Sequence, residues 1–490
     1  MSETAGLRLM LGAARHVFKA LGYGIIGGCV VLVIIFVIHL ESRPDLKVWH
    51  EAELDAEFTA SAPVQNFTDY LALEQRLFAQ LDERVYARIE PEDRRRINRY
   101  HRDSLSDPGR WSPNWNRTFE LVASAPAAGI LLLHGMSDAP YSLRSLGQRL
   151  HAAGAWVVGL RLPGHGTAPS GLVRMRWEDM AAAVRLAVSH LRDQLGNRPL
   201  YIVGYSNGGT LAVHYALAAL EDPALPKVNG LVLISPAIGV TPIAALARWQ
   251  ARIGRLFGLN KLAWNSILPE YDPFKYGSFA VNAGDQTYRL TGEIQLRLKT
   301  LDAAGELQAF PPVLAFQSMV DATVSTEAVV QGLFERLPAG GHELVLFDIN
   351  RVSEIKQVLA KDPKTVVKAL FGNTGLPYTV GFVTNKSEAS RDIVLRQKKP
   401  GDSGINEIPL GLTWPLGLYS LSHVALPFPP NDPLYGGADF VDSPGIHLGS
   451  MVMRGERGVL QIPATDMLRL RWNPFYVYIE KRLLEFLDLA

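Results

Sequence analysis

The stretch that decides the fold is LYIVGYSNGGT, residues 200–210. It opens with an apolar run typical of a buried strand, and the next ten residues, LAVHYALAAL, are typical of a helix. The turn between them has the form G-x-S-x-G, which carries chemical meaning in this strand–turn–helix context. Gly204 and Gly208 remove the side chains that would crowd a sharp turn. The stretch therefore predicts that Ser206 is a nucleophile at the start of a helix, where negative charge is favoured.

A second interpretation is a glycine-rich turn that happens to contain a serine. The two interpretations differ in what the rest of the chain must supply. A nucleophilic serine needs a base and an acid that orients the base. It also needs hydrogen-bond donors for the negatively charged oxygen that forms on the substrate.

Length and composition bound the possible functions. The chain has 490 residues, of which 48% are hydrophobic, so one large domain with additions or two domains are expected. The net charge of +1 gives no reason to expect a nucleic-acid partner. The sequence contains no P-loop and no zinc-type Cys/His spacing, and its single cysteine, Cys29, excludes an intramolecular disulfide.

An uncharged apolar run, ALGYGIIGGCVVLVIIFVI, occupies residues 20–38. At about 1.5 Å per residue, a helix of this length spans roughly the hydrocarbon core of a bilayer. The run is longer than the apolar region of a secretory signal, and no small-residue cleavage site follows it. We therefore predict a tail at residues 1–19 and an uncleaved, single-pass membrane anchor at residues 20–40.

The basic residues around this run predict its orientation. Three of them precede it and two follow it closely, namely Arg8, Arg15, Lys19, Arg43 and Lys47. This favours a cytoplasmic N-terminus, with the bulk of the protein on the periplasmic or extracellular side. Residues 26–29, IGGC, weakly resemble a bacterial lipoprotein processing box, but apolar residues continue after the cysteine.

Residues 41–115 form a polar extension that we expect to be partly helical. From Asn66 to Ile89 the apolar residues recur at helical spacing, and Asn66 can cap the helix, with Asp69 at its third position. The turn-rich stretch SDPGRWSPNWN, residues 106–116, is typical of a join between domains. We expect the extension to set the distance of the following domain from the bilayer or to pack against it.

From residue 116 to residue 490, short β-rich runs alternate with helical segments. The predicted strands are residues 129–133, 156–162, 200–204, 231–235, 313–318 and 344–348. This alternation predicts an α/β fold with a mainly parallel sheet and helices on both faces. The runs show no polar alternation, as expected for strands that are buried on both sides.

The oxyanion donors are predicted at the ends of two strands. The loop after the first run, HGMSD, lies where a second donor is expected, and we assign it to the backbone N–H of Met136. The partner donor is the N–H of Asn207, beside the nucleophile. His134 directly follows a buried strand, which favours a structural histidine over the base. His165 lies in the Gly-rich turn LPGHGT, which it is expected to stabilise.

The acid is expected at a later strand end. Asp321 lies three residues after the run at 313–318, within the compact turn DATV. Asp348 also follows a strand-like run and is the rival candidate. A turn-stabilising role is the alternative for Asp321.

The base must come from the twelve histidines. Most lie beside the anchor, in the extension or within helical or strand patterns. His423 and His447 remain in the region after the acid, and the loop SLSHVALPF around His423 makes it the preferred candidate.

Five segments together resemble the α/β-hydrolase superfamily: LLLHGM, RLPGHGTAP followed by RWEDM, GYSNGG, SMVDATV and SLSHVALPF. They look most like its carboxylesterase, monoacylglycerol lipase and lysophospholipase-like branch, the serine aminopeptidase S33 type of domain. The resemblance covers roughly residues 117–350 and 410–430. It implies that Ser206 is the nucleophile, Asp321 the acid and His423 the base, in the chain order of the superfamily. It also implies an oxyanion hole made by the N–H groups of Met136 and Asn207.

The chain departs from the family pattern in two places. His423 follows Asp321 by 102 residues, further than is common in the family. We attribute the difference to an insertion at about residues 351–422, with a helix-like piece, SEIKQVLAKDPKTVVKALFG, and a Lys/Gly/Pro-rich loop. The anchor and the extension also lie outside the resemblance.

At residues 237–310 the alternation of short strands and helices is interrupted, at the place where such hydrolases carry a cap. Residues 241–261 contain an apolar helical stripe, three arginines and no acidic residue. A basic amphipathic helix of this kind can roof an acyl pocket or lie on an anionic membrane. The cap interpretation is preferred, and both interpretations suit an apolar acyl substrate.

The sequence therefore predicts a membrane-anchored serine hydrolase that cleaves carboxylic esters of acyl lipids through an acyl-enzyme. The mechanism requires no metal or organic cofactor. The partners expected are a lipid or small-molecule ester and the membrane, without nucleic acid. A peptidase or thioesterase with the same triad is one alternative, and a catalytically silent envelope scaffold is another.

Overall fold

The computed structural model describes residues 3–239, 259–352, 363–437, 442–449 and 461–490. A ten-stranded sheet runs through this part of the chain, in the order β1-β3-β2-β4-β5-β8-β9-β10-β11-β12. Its strands are β1 Phe119–Leu121, β2 Gly129–Leu133, β3 Trp156–Leu160, β4 Leu200–Tyr205, β5 Gly230–Ile234, β8 Val313–Ser318, β9 Glu343–Phe347, β10 Thr379–Ser387, β11 Ser390–Lys398 and β12 Asn406–Thr413. Two short strands, β6 Trp264–Ser266 and β7 Phe279–Ala280, form a separate ribbon.

The middle of the sheet is parallel, from β3 through β2, β4, β5, β8 and β9 to β10. The remaining pairs, β1 with β3, β10 with β11 and β11 with β12, are antiparallel. Each of the six predicted strands is present, within two residues of its predicted bounds. The predicted α/β-hydrolase fold, with its mainly parallel sheet, is confirmed.

Helices cover both faces of the sheet. They are α1 Glu3–Glu41, α2 Val48–Glu51, α3 Phe67–Arg84, α4 Arg144–Ala152, α5 Ser170–Arg174, α6 Trp177–Leu195, α7 Asn207–Glu221, α8 Val281–Ala304, α9 Thr326–Gly332, α10 Lys364–Gly372, α11 Ala464–Met467 and α12 Tyr476–Phe486. Along β2, Leu131 and Leu133 belong to one apolar core, whereas Ile130 and Leu132 belong to the other. Helices α6, α7 and α8 pack into the first core, and α4 and α12 pack into the second. The strands are therefore buried on both sides, as their uninterrupted apolar sequences require.

Helix α1 contains the predicted anchor. Its segment Leu21–Glu41 has a mean hydropathy of 2.7 and is long and apolar enough to cross a membrane. No other helix in the described part of the chain meets that test. This segment is not buried against the rest of the protein, although Leu40 at its end is.

The extension packs tightly against the sheet domain. Helix α3 begins where the sequence predicts, and the Asn66 side chain accepts a hydrogen bond from the Asp69 N–H at 2.9 Å. Phe67 and Tyr70 on its inner face join the core that contains α6. The Tyr70 hydroxyl also donates to the carbonyl of Arg161, just after β3, at 2.5 Å.

The insertion differs from its prediction. The Lys/Gly/Pro-rich residues 399–405 form a loop, but the sequence analysis does not predict the strands on either side of it: β10, β11 and β12 form an antiparallel extension of the main sheet. Strand β10 lies parallel to β9, so the insertion continues the sheet at an edge that β9 would otherwise leave open. Helix α10 forms the end of the predicted helix-like piece, whose first ten residues, 353–362, lie outside the described residues.

The cap segment is described from residue 259 onward. It contains β6, β7 and the long helix α8, which packs against α7. Most of the basic amphipathic stretch predicted at residues 241–261 lies outside the described residues.

A buried ion-pair network fastens the extension to the sheet. The Arg161 guanidinium, with a side chain only 1% exposed, contacts Glu74 at 3.0 Å and Glu57 at 2.9 Å. Glu74 also accepts hydrogen bonds from the N–H and the hydroxyl of Thr118. A buried arginine needs such partners because an unpaired charge in the interior is costly.

We predict that Glu74→Ala lowers the free energy of unfolding by about 3–5 kcal/mol, because it leaves Arg161 buried and partly unpaired. The control is Glu407→Ala, which removes an exposed ion pair with Arg396 and is expected to cost about 0.2–1 kcal/mol. Denaturant unfolding of the detergent-solubilised protein measures both values. Equal losses in the two variants would contradict a structural role for the Arg161 network.

Candidate active site

The stretch around Ser206 forms a strained turn at the carboxyl end of β4. Ser206 has φ 53° and ψ −118°, a backbone conformation that residues with a side chain rarely adopt. A Cβ on Gly204 would collide with the backbone of Gly208, and a Cβ on Gly208 would collide with the carbonyl of Leu133. Both glycines are therefore needed for the close approach, and helix α7 starts directly after the serine.

Three predicted residues from distant parts of the chain meet at this turn. The Ser206 Oγ lies 3.0 Å from Nε2 of His423, and Nδ1 of His423 lies 2.7 Å from Oδ2 of Asp321. Ser206 follows β4, Asp321 follows β8, and His423 begins a short helical turn after the β10–β12 extension. The long insertion therefore leaves the histidine within hydrogen-bonding distance of both partners.

Asp321 is held by its own turn as well as by the histidine. Its Oδ1 accepts from the N–H groups of Thr323 at 2.7 Å and Val324 at 3.0 Å. Burial raises the pKa of Asp321, but the hydrogen bond and charge interaction with His423 and the two backbone N–H groups lower it by more. The net pKa lies below that of an ordinary aspartate, so the carboxylate is charged at neutral pH.

The rival acid is engaged elsewhere. Asp348 accepts hydrogen bonds from Arg351 at 2.6 and 2.7 Å and from the Thr384 hydroxyl at 2.6 Å, within the interior. The described contacts join His423, and not the rival His447, to Ser206. The geometry thus distinguishes between the candidates that the sequence left open.

His134 and His165 have the structural surroundings expected of them. His134 Nδ1 lies 2.8 Å from the carbonyl of Gly135, and its Nε2 accepts from the N–H of Leu162 at 3.0 Å. Burial holds the pKa of His134 well below its usual range and lowers the pKa of His165 to about 4. Both rings are neutral at pH 7; His134 connects two strand-end loops, and the His165 Nδ1 bonds to the Pro163 carbonyl within its own turn.

The loop predicted to supply an oxyanion donor passes directly beside the serine. A Cβ added to Gly135 would lie 3.1 Å from the Ser206 Cβ, and Met136 is the next residue in this loop. Among the described residues, neither the Met136 N–H nor the Asn207 N–H donates a hydrogen bond to a protein acceptor. N–H groups that have no protein acceptor beside a nucleophilic serine can donate hydrogen bonds to a developing oxyanion.

A cavity of about 130 Å³ lies beside this site, and the sequence analysis did not find it. We name it the lateral cavity. Its walls come from the elbow and oxyanion loops, the cap segment, the region after His423 and the C-terminal segment: Asp138, Tyr205, Leu268, Tyr271, Asp272, Lys275, Tyr276, Gly277, Val424, Phe428, Tyr435, Asp466, Arg469 and Arg471. These residues are scattered over more than 300 positions, and no local pattern in the sequence connects them.

Comparison with known proteins assigns the central part of the chain to a family. Residues 124–349 match the model of the family described as serine aminopeptidase, S33. This range contains Ser206 and Asp321, whereas His423 lies beyond it.

Two curated relatives are similar over parts of that range. A thermostable monoacylglycerol lipase of Bacillus sp. (strain H-257) is 32% identical over 117 residues, which are 24% of this chain and 44% of the relative. Phospholipase YtpA of Bacillus subtilis (strain 168) is 24% identical over 148 residues, 30% of this chain and 51% of the relative. The chain spans about half the length of the curated relatives it matches.

Among solved structures, the monoacylglycerol lipase of Paleococcus ferrophilus aligns over 47% of this chain and 88% of its own, with 20% identity and a TM-score of 0.35. The family match, the two relatives and the sheet described above agree with one another. The fold is that of the α/β-hydrolase superfamily, and through residues 124–349 the chain is similar to lipase- and esterase-like proteins.

Proposed function

We propose that this protein is a membrane-anchored serine hydrolase that cleaves carboxylic esters of acyl lipids, of the monoacylglycerol or lysophospholipid type. The observation that carries the proposal is the unbroken hydrogen-bond path from Ser206 through His423 to Asp321. The same three groups cleave esters, thioesters or amides, so the ester preference needs separate support. That support comes from the printed names of the two relatives, a monoacylglycerol lipase and a phospholipase.

The proposed reaction begins with proton transfer. His423 Nε2 takes the proton of the Ser206 hydroxyl as Oγ attacks the ester carbonyl, and Asp321 stabilises the imidazolium that forms. The tetrahedral intermediate collapses when His423 gives this proton to the leaving alcohol. Water, activated by the same histidine, then hydrolyses the acyl-enzyme and restores Ser206.

The oxyanion is proposed to accept hydrogen bonds from the N–H groups of Met136 and Asn207. Their lack of protein acceptors supports this role, and the N-terminus of α7 adds a favourable dipole. Removing one donor of this kind typically costs about 10²–10³ in rate.

The anchor is proposed to hold the catalytic domain at the bilayer surface, on the non-cytoplasmic side. Directly after α1, Arg43 donates to the carbonyls of Lys261 at 2.8 Å and Trp264 at 2.7 Å. Lys261 in turn contacts Asp45 at 2.8 Å. The end of the apolar helix is thus fastened to the cap segment, which supports an arrangement with the cap near the lipid.

The first prediction concerns the nucleophile and the base. A fluorophosphonate probe, which reacts with activated serines, is expected to label the wild type and not Ser206→Ala. His423→Ala should react at least about 10³-fold more slowly, because the serine loses its base. The matched control is His447→Ala, which should label like the wild type. Labelling that persists in Ser206→Ala would assign a different nucleophile and contradict the proposal. An unreactive wild type would also contradict it and would favour the scaffold alternative.

The second prediction concerns the acid. Asp321→Asn is expected to lower kcat about 10⁴-fold, because an amide favours the wrong tautomer of His423. Asp348→Asn weakens a buried pair with Arg351 and should lower stability, with kcat of the folded enzyme near that of the wild type. A water-soluble ester assay beside a thermal melt separates the two effects. Equal losses of kcat in both variants would argue against the assignment of Asp321.

The third prediction concerns the anchor. Leu32→Arg combined with Ile35→Arg adds about 2.5–3.5 kcal/mol per arginine to the cost of insertion near the bilayer centre. We expect the double variant to leave the membrane fraction during an alkaline wash. Tyr23→Arg is the control, since an arginine near the helix end can reach the interface. Retention of the double variant at the wild-type level would refute a transmembrane role for α1.

A further inference from the structure

The lateral cavity is lined by chain neighbours of the proposed catalytic residues. Tyr205 precedes Ser206, its ring lies 5.4 Å from the His423 ring, and its hydroxyl donates to the His423 carbonyl at 3.5 Å. Val424, another wall residue, follows the histidine directly. A group bound in this cavity therefore lies next to an ester held at Ser206.

Two arginines of the C-terminal segment reach this cavity. Arg469 donates to the Thr323 hydroxyl at 2.8 Å, within the turn that holds Asp321. Arg471 donates to the Tyr271 hydroxyl at 3.2 Å. Among the described residues, neither guanidinium has a carboxylate within 4.0 Å, although each carries five N–H donors.

Most acids of the cavity wall are already engaged. Asp138 pairs with Lys275 at 2.8 Å. Asp272 accepts from the Tyr435 hydroxyl at 2.6 Å and from the backbone N–H of Phe274 at 2.9 Å. Asp466 is the remaining carboxylate; with Lys275 counted, the wall carries three carboxylates and three cations, and the two guanidinium groups keep N–H donors that no described carboxylate occupies.

We propose that the lateral cavity binds the phosphate of a lysophospholipid headgroup through Arg469 and Arg471, while the acyl ester lies at Ser206. This inference rests on the proposed function and narrows its substrate class from monoacylglycerols or lysophospholipids to lysophospholipids alone. A guanidinium presents paired N–H donors that match phosphate oxygens. The volume of about 130 Å³ is well below the 300–1,000 Å³ typical of drug-sized ligands, so it suits a headgroup and not an acyl chain.

The test compares 1-oleoylglycerol 3-phosphate with 1-oleoylglycerol in the same detergent micelles, using the full-length protein. The measured quantity is kcat/KM for 1-oleoylglycerol 3-phosphate divided by kcat/KM for 1-oleoylglycerol. Changes common to both esters cancel in this ratio. We expect the ratio to fall about 10- to 100-fold in Arg469→Gln and in Arg471→Gln, because each loses charged hydrogen bonds to the phosphate. Arg471→Lys should retain part of the preference, since it keeps the charge without the planar donor pair.

Two further variants serve as controls. Arg198→Gln removes an exposed arginine before β4, at the opposite strand end, and should leave the ratio unchanged. Asp466→Asn removes one negative charge from the cavity wall, and we expect it to raise the ratio. Because this change acts in the opposite direction, it tests the proposal even where an arginine variant fails to fold.

The outcomes separate the possible failures. Fluorophosphonate labelling of Ser206 with a ratio that none of these variants changes would overturn the headgroup inference and leave the hydrolase proposal intact. Competitive inhibition by inorganic phosphate that Arg471→Gln abolishes, with an unchanged ratio, would assign the cavity to free phosphate and also overturn it. Absence of both labelling and hydrolysis would overturn the inference together with the proposed function.

Discussion

The structure depends on a strained backbone at Ser206. A positive φ at a residue with a side chain costs about 1–3 kcal/mol, and it persists only where the surroundings hold it. Here the Ser206 N–H donates to the carbonyl of Ile234 on β5, and its own carbonyl accepts from Gly209 and Ala237. The carbonyl of Leu133, at the end of the neighbouring strand β2, leaves no space for a side chain at Gly208. The parallel sheet thus fixes the serine at the strand ends, where the loops of neighbouring strands converge.

The parts outside the family match complete this arrangement. The β10–β12 extension lies between Asp321 and His423, which are 102 positions apart, and the chain still returns the histidine to the serine. The N-terminal extension is joined to the sheet by Glu57 and Glu74, which pair with Arg161 just after β3. Arg161 also donates to the carbonyl of His165 at 3.0 Å. The C-terminal segment contributes Arg469 and Arg471 to the cavity. Each addition therefore reaches the surroundings of the site, although none belongs to the strand–turn–helix unit around Ser206.

The features that could be predicted from the sequence are those with a local signature. The elbow around Ser206 combines a strand, two glycines and a helix in eleven residues, and the six apolar runs identify the parallel strands. The preference for Asp321 over Asp348 used turn chemistry, and Asn66 was found from its capping pattern. These signals are short because backbone geometry imposes them within a few residues.

The rest depends on contacts between distant residues. The strands β10–β12 could not be predicted because charged, glycine and proline residues interrupt their apolar runs, and β12 is largely exposed. The pairing of Glu74 with Arg161 joins positions 87 residues apart. The lateral cavity draws on five separate segments, so its arginines had no recognisable spacing. The family resemblance gives no information about Arg469 and Arg471, since residues 461–490 lie outside it.

The central claim is that Ser206 carries the acyl group during turnover, and trapping that intermediate tests it most directly. A long-chain p-nitrophenyl ester is mixed with the solubilised enzyme, quenched in acid during the first turnover and digested for peptide mass spectrometry. The account predicts the mass of one acyl group on the peptide that contains Ser206. Product formation with the acyl group on another residue, or with no acylated peptide at any quench time, would contradict it.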